Sequence, residues 1–164
     1  MEPKRVIFLD IDGPMIPLRL YVRGDRMRHP NGTFLFDPIG VWMINHLCQE
    51  TDAQVVFNTA HCENPAEILH IQANTNAIER VHPEIKTKYI TSVNNRANAI
   101  MEFVLRHNIK DWTVFDDYDM NLKRQVVVDF DIGITIKDME TAFHHLTGQP
   151  VSNKIISFNR HSPG

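Results

Sequence analysis

The sequence contains only two cysteines, Cys48 and Cys62, which are too few for a disulfide framework and match no zinc-binding spacing. It contains no apolar run of the length that a membrane-spanning helix needs. The formal net charge of -3 argues against a protein that binds polyanions through charge alone. What remains is a globular chain whose 164 residues suit a single domain.

Short apolar runs alternate along the chain with segments of helical periodicity. Strands are predicted near residues 5–10, 53–57, 88–90, 112–115 and 125–128, and the longer helices near 37–47, 64–78, 95–105 and 137–146. This alternation predicts an α/β fold, a Rossmann-like three-layer α/β/α sandwich around a mainly parallel sheet of about five strands. We assign residues 1–147 to this domain and 148–164 to a C-terminal extension.

Two features are predicted near the N-terminus. Residues 17–36 form a connection that contains Gly24-Asp25 between segments 18–23 and 26–29, a pattern that predicts a small hairpin.

The first strand begins almost at residue 1, which leaves no room for a secretory signal. We therefore expect a cytoplasmic protein.

Two acidic pairs follow apolar runs. The first strand runs into Asp10 and Asp12, with Gly13 after them, and a later strand runs into Asp116 and Asp117. Alternate residues of a strand share one face, so the first two carboxylates are expected to point the same way. A turn is the simpler interpretation of a single Asp-Gly step, but the second pair favours a site. Carboxylates held close together repel unless a cation or a proton intervenes.

Further polar residues belong to the same predicted edge, because the carboxyl ends of parallel strands converge there. Asn58 and Thr59 directly follow the second strand, and Arg96 lies near the start of a helix. Carboxylates from two strands suit Mg²⁺, and a carboxylate can attack phosphorus. A guanidinium, hydroxyl or amide can bind the remaining phosphoryl oxygens. The pattern therefore predicts a site for phosphoryl chemistry.

These motifs resemble those of the haloacid dehalogenase-like (HAD) superfamily. Asp10-Ile11-Asp12-Gly13 resembles its first motif, and the polar end of residues 55–59 resembles its second. Arg96 stands for the third motif, and Phe115-Asp116-Asp117 resembles the fourth. The order and spacing fit over about residues 5–147.

Within the superfamily, the sequence is most similar to the small HAD domains of the group associated with RNA-repair proteins. The similarity rests on Phe36-Asp37-Pro38 and on Asp129 followed by Gly133-Ile134-Thr135, besides the acidic pair of the fourth motif. The connections between the motifs are short, so the resemblance implies a domain with a minimal cap or none.

The resemblance implies catalytic and metal-binding roles. Asp10 would be the nucleophile that becomes an aspartyl-phosphate. Asp12 would protonate the leaving group and then activate water. Mg²⁺ would be held by Asp10, by the backbone carbonyl of Asp12, and by Asp116 or Asp117.

The resemblance leaves alternatives for the phosphate-binding residues. Asn58 or Thr59 would hydrogen-bond the phosphoryl group, because the stretch that contains them differs from the Ser/Thr pair and Trp-Arg of relatives. Arg96 would balance charge at the nucleophile and the phosphate. The third motif is usually lysine, so Lys86 or Lys88 is the alternative to this arginine.

Three residues beside the motifs are candidates for substrate contact. Arg23 and Arg26 lie in the connection that forms a flap over the site in HAD-like proteins, and His61 follows the second motif. A solvated hairpin with ordinary surface charges is the alternative interpretation of the two arginines.

The expected activity is that of a Mg²⁺-dependent phosphatase acting on a small molecule or a nucleic-acid phosphate end. An open, nearly capless crevice suits large substrates. The alternative is a catalytically weak HAD-like or receiver-like module that binds metal and phosphate for regulation. The sequence leaves the oligomeric state open.

Overall fold

The computed structural model describes residues 5–22, 28–59, 65–88 and 95–150. The strands are β1 (Arg5–Leu9), β2 (Gln54–Phe57), β3 (Val81–Lys86), β4 (Asp111–Asp116) and β5 (Gln125–Val127). The α-helices are α1 (Leu18–Val22), α2 (Pro38–Thr51), α3 (Pro65–Asn74), α4 (Arg96–Arg106) and α5 (Ile136–Thr147), with a 3₁₀ turn at Thr75–Ala77. No helix in these ranges has both the length and the apolar composition needed to cross a membrane.

The five strands form a single parallel sheet in the order β3-β2-β1-β4-β5. The central strand β1 ends level with both neighbours, since Leu9 is paired with Phe57 of β2 and with Phe115 of β4. The residues that follow these strands therefore emerge together at one edge. The predicted α/β sandwich with about five parallel strands is confirmed.

The sheet is covered on both faces, which explains why its central strand is apolar from Val6 to Leu9. Ile7 and Leu9 of β1 pack into a core that contains side chains of α2, α3 and α5. Val6 and Phe8 point the other way, into a core built with α4. Phe8 meets the ring of Phe103 on α4 edge to face, at a centroid distance of 5.5 Å. The helix α4 thus lies on the face opposite α2 and α5.

The predicted position of the third strand was wrong. The strand was expected near residues 88–90, but β3 spans Val81–Lys86, while Lys88 follows it and residues 89–90 lie outside the described ranges. β3 is an edge strand that contains Pro83 and alternates buried with exposed positions, so no continuous apolar run marks it. Proline is tolerated at such an edge because one side of the strand needs no ladder hydrogen bonds.

The first arm of the predicted hairpin was also wrong, because Leu18–Val22 forms the short helix α1. The alternating apolar residues of this segment fit a strand and a short helix about equally, and Leu20 is its one buried residue. The predicted turn at Gly24-Asp25 lies outside the described residues. An isolated antiparallel bridge pairs Arg28 with Phe34 further along.

Residues 28–36 are anchored to the domain by Asn74, the last residue of α3. Its Nδ2 donates to the carbonyl of Phe34 at 3.1 Å, and its Oδ1 accepts the N–H of Phe36 at 3.0 Å. Nε2 of His29 lies 3.2 Å from the same oxygen. The side chain is 3% exposed, so its hydrogen bonds are shielded from water. One buried amide therefore anchors three residues of this segment.

The C-terminal end of the domain is marked by a helix cap. α5 ends at Thr147, and Gly148 follows in the left-handed conformation with φ of 69°, donating its N–H to the carbonyl of His144. Residues 151–164 lie outside the described ranges. The division of the chain at residue 147 stays a prediction.

Replacing Asp37 with alanine is expected to lower the free energy of unfolding by about 1–3 kcal/mol. Asp37 is 2% exposed, and its Oδ1 accepts the N–H of Ile39 at 3.2 Å as the N-cap of α2. Its other oxygen pairs with the Arg19 guanidinium. Urea unfolding measures the loss. Asp37→Asn keeps the capping oxygen and should lose less than the alanine variant; equal unfolding of all three proteins would contradict the prediction.

Candidate active site

Four buried polar residues form one row across the carboxyl end of the sheet. The backbone N–H groups of Asp10, Asn58 and Thr87 donate to carbonyls of neighbouring strands at 3.0, 2.9 and 2.9 Å, so the ladder continues one residue beyond β1, β2 and β3. Thr87, Asn58 and Asp10 therefore lie side by side, with Asp116 of β4 as the next member. All four are at most 3% exposed.

Arg96, the first residue of α4, lies against the two carboxylates of this row. Its Nη1 donates to Oδ2 of Asp10 at 3.2 Å and to both carboxylate oxygens of Asp116 at 2.8 and 2.7 Å. The side chain is buried, and its Nε has no hydrogen-bond partner among the described residues. Lys88 instead pairs with Glu102 at the surface, and Lys86 lies on β3. Among the three candidates, Arg96 is thus the residue for which contact with Asp10 is observed.

A third carboxylate completes an acidic group. Oxygen atoms of Asp10, Asp116 and Asp117 lie within 4.8 Å of one another. Gly13 passes directly against this group with φ of +94°, and a Cβ on it would lie 2.9 Å from Cβ of Asp117. The glycine therefore serves both the turn after β1 and the close approach of the turn to Asp117.

The charges of this group are poorly compensated. Burial and the nearby Asp116 raise the pKa of Asp10 well above its usual range, against the opposing effect of Arg96. Burial raises the pKa of Asp116 to about 6. Three carboxylates against one guanidinium leave an excess of two negative charges when all are ionised. Oxygen ligands with this excess fit a hard divalent cation such as Mg²⁺.

Asp12 lies beyond the end of β1, so strand alternation does not decide the direction of its side chain. β1 ends at Leu9, and the chain then turns, with the N–H groups of Met15 and Ile16 both donating to the carbonyl of Ile11 at 2.9 Å. The carboxylate of Asp12 is therefore not one of the three acidic groups that lie together. Its Oδ1 instead accepts the hydroxyl of Tyr21 at 2.8 Å.

The two second-motif candidates are both buried. Asn58 is the direct neighbour of Asp10 in the row, and its Nδ2 donates to Oγ1 of Thr87 at 3.0 Å. Its Oδ1 is buried without a hydrogen-bond partner in the described part of the chain. Thr59 follows at 1% exposure. The structure brings both residues to the edge that carries Asp10.

A family model described as the HAD domain in Swiss Army Knife RNA repair proteins matches residues 6–139 of the chain. The chain belongs to this family. The match includes the whole row and Arg96, and it confirms the predicted HAD superfamily and its RNA-repair-associated group. No curated protein matches the chain.

Because the chain is a HAD domain, its family supports a hydrolase activity of the general phosphatase type. It also supports a substrate that carries a phosphoryl group. The family typically uses Mg²⁺, and the acidic group of Asp10, Asp116 and Asp117 is compatible with a metal. No cap is evident among the residues that the structure describes.

The sequence-based reasoning missed two side chains that contact candidate site residues of the HAD domain. Tyr21 was interpreted as part of a hairpin arm, and Thr87 follows the strand that was placed too late. Predicting a helix at residues 18–22 would have made Tyr21 a candidate for contact with the first motif. The candidates Arg23, Arg26 and His61 lie outside the described ranges, so their contact with substrate stays a prediction.

Proposed function

We propose that this HAD domain is a Mg²⁺-dependent phosphatase that acts through an aspartyl-phosphate on Asp10. The main support is the placement of Asp10, buried at the carboxyl end of the central strand between Asn58 and Asp116 and in contact with Arg96. A carboxylate in this position is backed by a fixed cation and lies at the edge where open parallel sheets bind their ligands.

The proposed reaction has two displacements at phosphorus. A carboxylate oxygen of Asp10 attacks, the bond from phosphorus to the leaving oxygen breaks, and Asp12 gives its proton to that oxygen. Asp12 then takes a proton from water, whose oxygen attacks the same phosphorus. The bond from phosphorus to the Asp10 oxygen breaks, which releases inorganic phosphate and restores the carboxylate of Asp10, with Asp12 protonated as at the start.

Charge is the main obstacle to the first displacement, because an anion attacks an anionic phosphate. Mg²⁺ held by Asp10, Asp116, Asp117 and the backbone carbonyl of Asp12 would supply the neutralisation that this attack requires. Arg96 keeps Asp10 and Asp116 in place from the side of α4. Its guanidinium offsets part of the negative charge throughout the reaction.

Asn58 is the better of the two candidates for holding the phosphoryl group. The two ends of an amide are interchangeable when it is rotated by half a turn. Before that rotation, Oδ1 of Asn58 has no hydrogen-bond partner in the described part of the chain. After it, Oδ1 accepts the hydroxyl of Thr87, and the N–H donors of Nδ2 take the position that Oδ1 had occupied. Those donors lie beside Asp10 in the row, where they can bind a phosphoryl oxygen.

A phosphate end of a nucleotide or nucleic acid is the proposed substrate. The family description names RNA repair proteins, which supports a nucleic-acid phosphate end as the substrate. The absence of an evident cap in the described part of the chain is compatible with a large substrate that enters an open crevice.

Phosphate release from an aryl phosphate and from oligonucleotides phosphorylated at the 5′ or the 3′ end tests this function. We expect release that requires Mg²⁺ and stops with EDTA, with at least one oligonucleotide preferred over the corresponding free mononucleotide. Mg²⁺ binding without release from any substrate would instead favour a regulatory HAD module. Stable phosphorylation of Asp10 without turnover would favour a receiver-like module.

A further inference from the structure

We propose that Tyr21 is a positioning residue that holds the carboxyl group of Asp12 in the orientation needed for proton transfer, an inference that rests on the proposed phosphatase function. The hydroxyl of Tyr21 donates to Oδ1 of Asp12 at 2.8 Å. The two residues come from different elements, the helix α1 and the turn after β1, so the bond joins the connection to the first motif.

Asp12 depends on such a partner because its backbone does not fix its side chain. The residue lies beyond the end of β1, in a turn, and is half-buried. The terminal torsion of an aspartate has a broad distribution, so an unrestrained carboxyl group samples many directions. A hydrogen bond to one oxygen removes much of this freedom.

The tyrosine ring is itself held by its neighbours. It meets the ring of Phe34 edge to face at a centroid distance of 4.5 Å, and the guanidinium of Arg28 lies 4.1 Å from the centroid of the same phenylalanine. The carbonyl of Phe34 is bonded to the buried Asn74. A continuous chain of contacts therefore runs from α3 through Phe34 to the hydroxyl on Asp12.

This arrangement assigns different tasks to the two oxygens of Asp12. Oδ1 is occupied by the hydroxyl of Tyr21. Oδ2 is then the oxygen that carries the proton to the leaving group and later accepts one from water. Correct placement of a reacting group contributes to the rate because misplacement by about 1 Å can cost about 100-fold.

The leaving group provides a readout that a purely structural role would not change. An alkyl or sugar oxygen is a basic leaving group that needs a proton, whereas a nitrophenolate leaves without one. The ratio kcat/KM reports the steps up to and including the first displacement, in which the leaving group either needs a proton or does not. Tyr21→Phe should lower kcat/KM about 10- to 100-fold for an alkyl phosphate and less than about 3-fold for p-nitrophenyl phosphate.

A double-mutant cycle with Asp12→Asn shows whether the tyrosine acts through Asp12. In the Asp12→Asn background, Tyr21→Phe should cause no further loss on the alkyl phosphate, because the group that it positions no longer transfers a proton. Phenylalanine keeps the ring that contacts Phe34, so we expect the thermal unfolding of Tyr21→Phe to match that of the wild type.

Three results would overturn the inference. Equal losses on both esters would show a structural role for the hydroxyl, and an unchanged rate on the alkyl phosphate would show no role. Additive losses in the double variant would show that Tyr21 acts independently of Asp12. All three require an active wild-type protein, whereas a wild type that releases no phosphate from either ester would overturn the proposed function as well.

Discussion

Asp10→Asn is expected to abolish phosphate release and at the same time to stabilise the metal-free protein. Loss of the nucleophile should lower kcat by at least about 1,000-fold. The stability gain follows from the raised pKa of Asp10, which burial and the charge of Asp116 cause. Asparagine removes this buried charge, so we expect a gain of about 1–3 kcal/mol and a Tm about 2–10 °C higher in EDTA at neutral pH.

The pH dependence of stability provides an independent check. The pKa of Asp116 lies at about 6 against 3.8 for an ordinary aspartate, and that of Asp10 is also raised. These two carboxyl groups therefore bind more protons in the folded metal-free protein than in the unfolded chain, and their contribution to stability falls as the pH rises from 3.8 through about 6. Asp10→Asn should show a smaller fall over this range.

Mg²⁺ should narrow the difference in stability between Asp10→Asn and the wild type. The ion stabilises the wild type by compensating the acidic group, at about 2.7 kcal/mol when present at 100 times its Kd. The variant lacks one ligand and should gain less. Asp111→Asn is the matched control, because Asp111 lies at the opposite end of β4 in surface ion pairs with Arg5 and Arg124. An Asp10→Asn protein that is less stable than the wild type in EDTA would contradict the electrostatic argument.

The sequence was sufficient for the fold wherever burial produced a continuous apolar run. β1, β2 and β4 lie inside the sheet with both faces covered, so their buried runs are apolar except for Thr113 and the terminal Asp116 of β4. The start of α2 was predictable from Asp37 and Pro38, because the cap is a local interaction. The edge strand β3 lacked such a run, and its position could not be read from the same pattern.

The candidate site divides in the same way. Asp10 and Asn58 directly follow buried strands and Asp116 ends one, so the rule that parallel strands end at one edge was enough to bring them together. The bond from Tyr21 to Asp12 depends on how residues 10–22 turn back on themselves, which is a tertiary property. No local spacing encodes it, and the turn that begins after Leu9 takes Asp12 off the strand.

Replacement of Arg96 is expected to produce the largest loss of stability. Arg96→Met keeps the length of the side chain but leaves Asp10 and Asp116 buried without their common cation. Breaking a buried pair in this way costs about 3–5 kcal/mol. Urea unfolding in EDTA measures this loss, and Mg²⁺ should recover part of it because the ion compensates the same carboxylates.

Arg96→Lys should be much milder, because the contacts of Arg96 with both carboxylates come from a single nitrogen, Nη1. An ammonium group offers the same charge and several donors from one atom. The substitution also removes Nε, which is buried without a partner in the described part of the chain. We therefore expect Arg96→Lys to remain active, while Arg96→Met loses at least about 100-fold in kcat.

Lys88→Met is the control that separates the third-motif candidates. Its ion pair with Glu102 joins side chains that are 61% and 50% exposed, and such surface pairs contribute less than about 1 kcal/mol. A loss of activity in Lys88→Met with an active Arg96→Met protein would assign the third motif to the lysine. It would also mean that the cation seen on Asp10 stabilises the fold without serving the reaction. An inactive Arg96→Met protein beside an active Lys88→Met protein would assign both the reaction and the stabilisation of the fold to Arg96. One nitrogen, Nη1, would then hold the nucleophile and compensate the charge of two buried carboxylates.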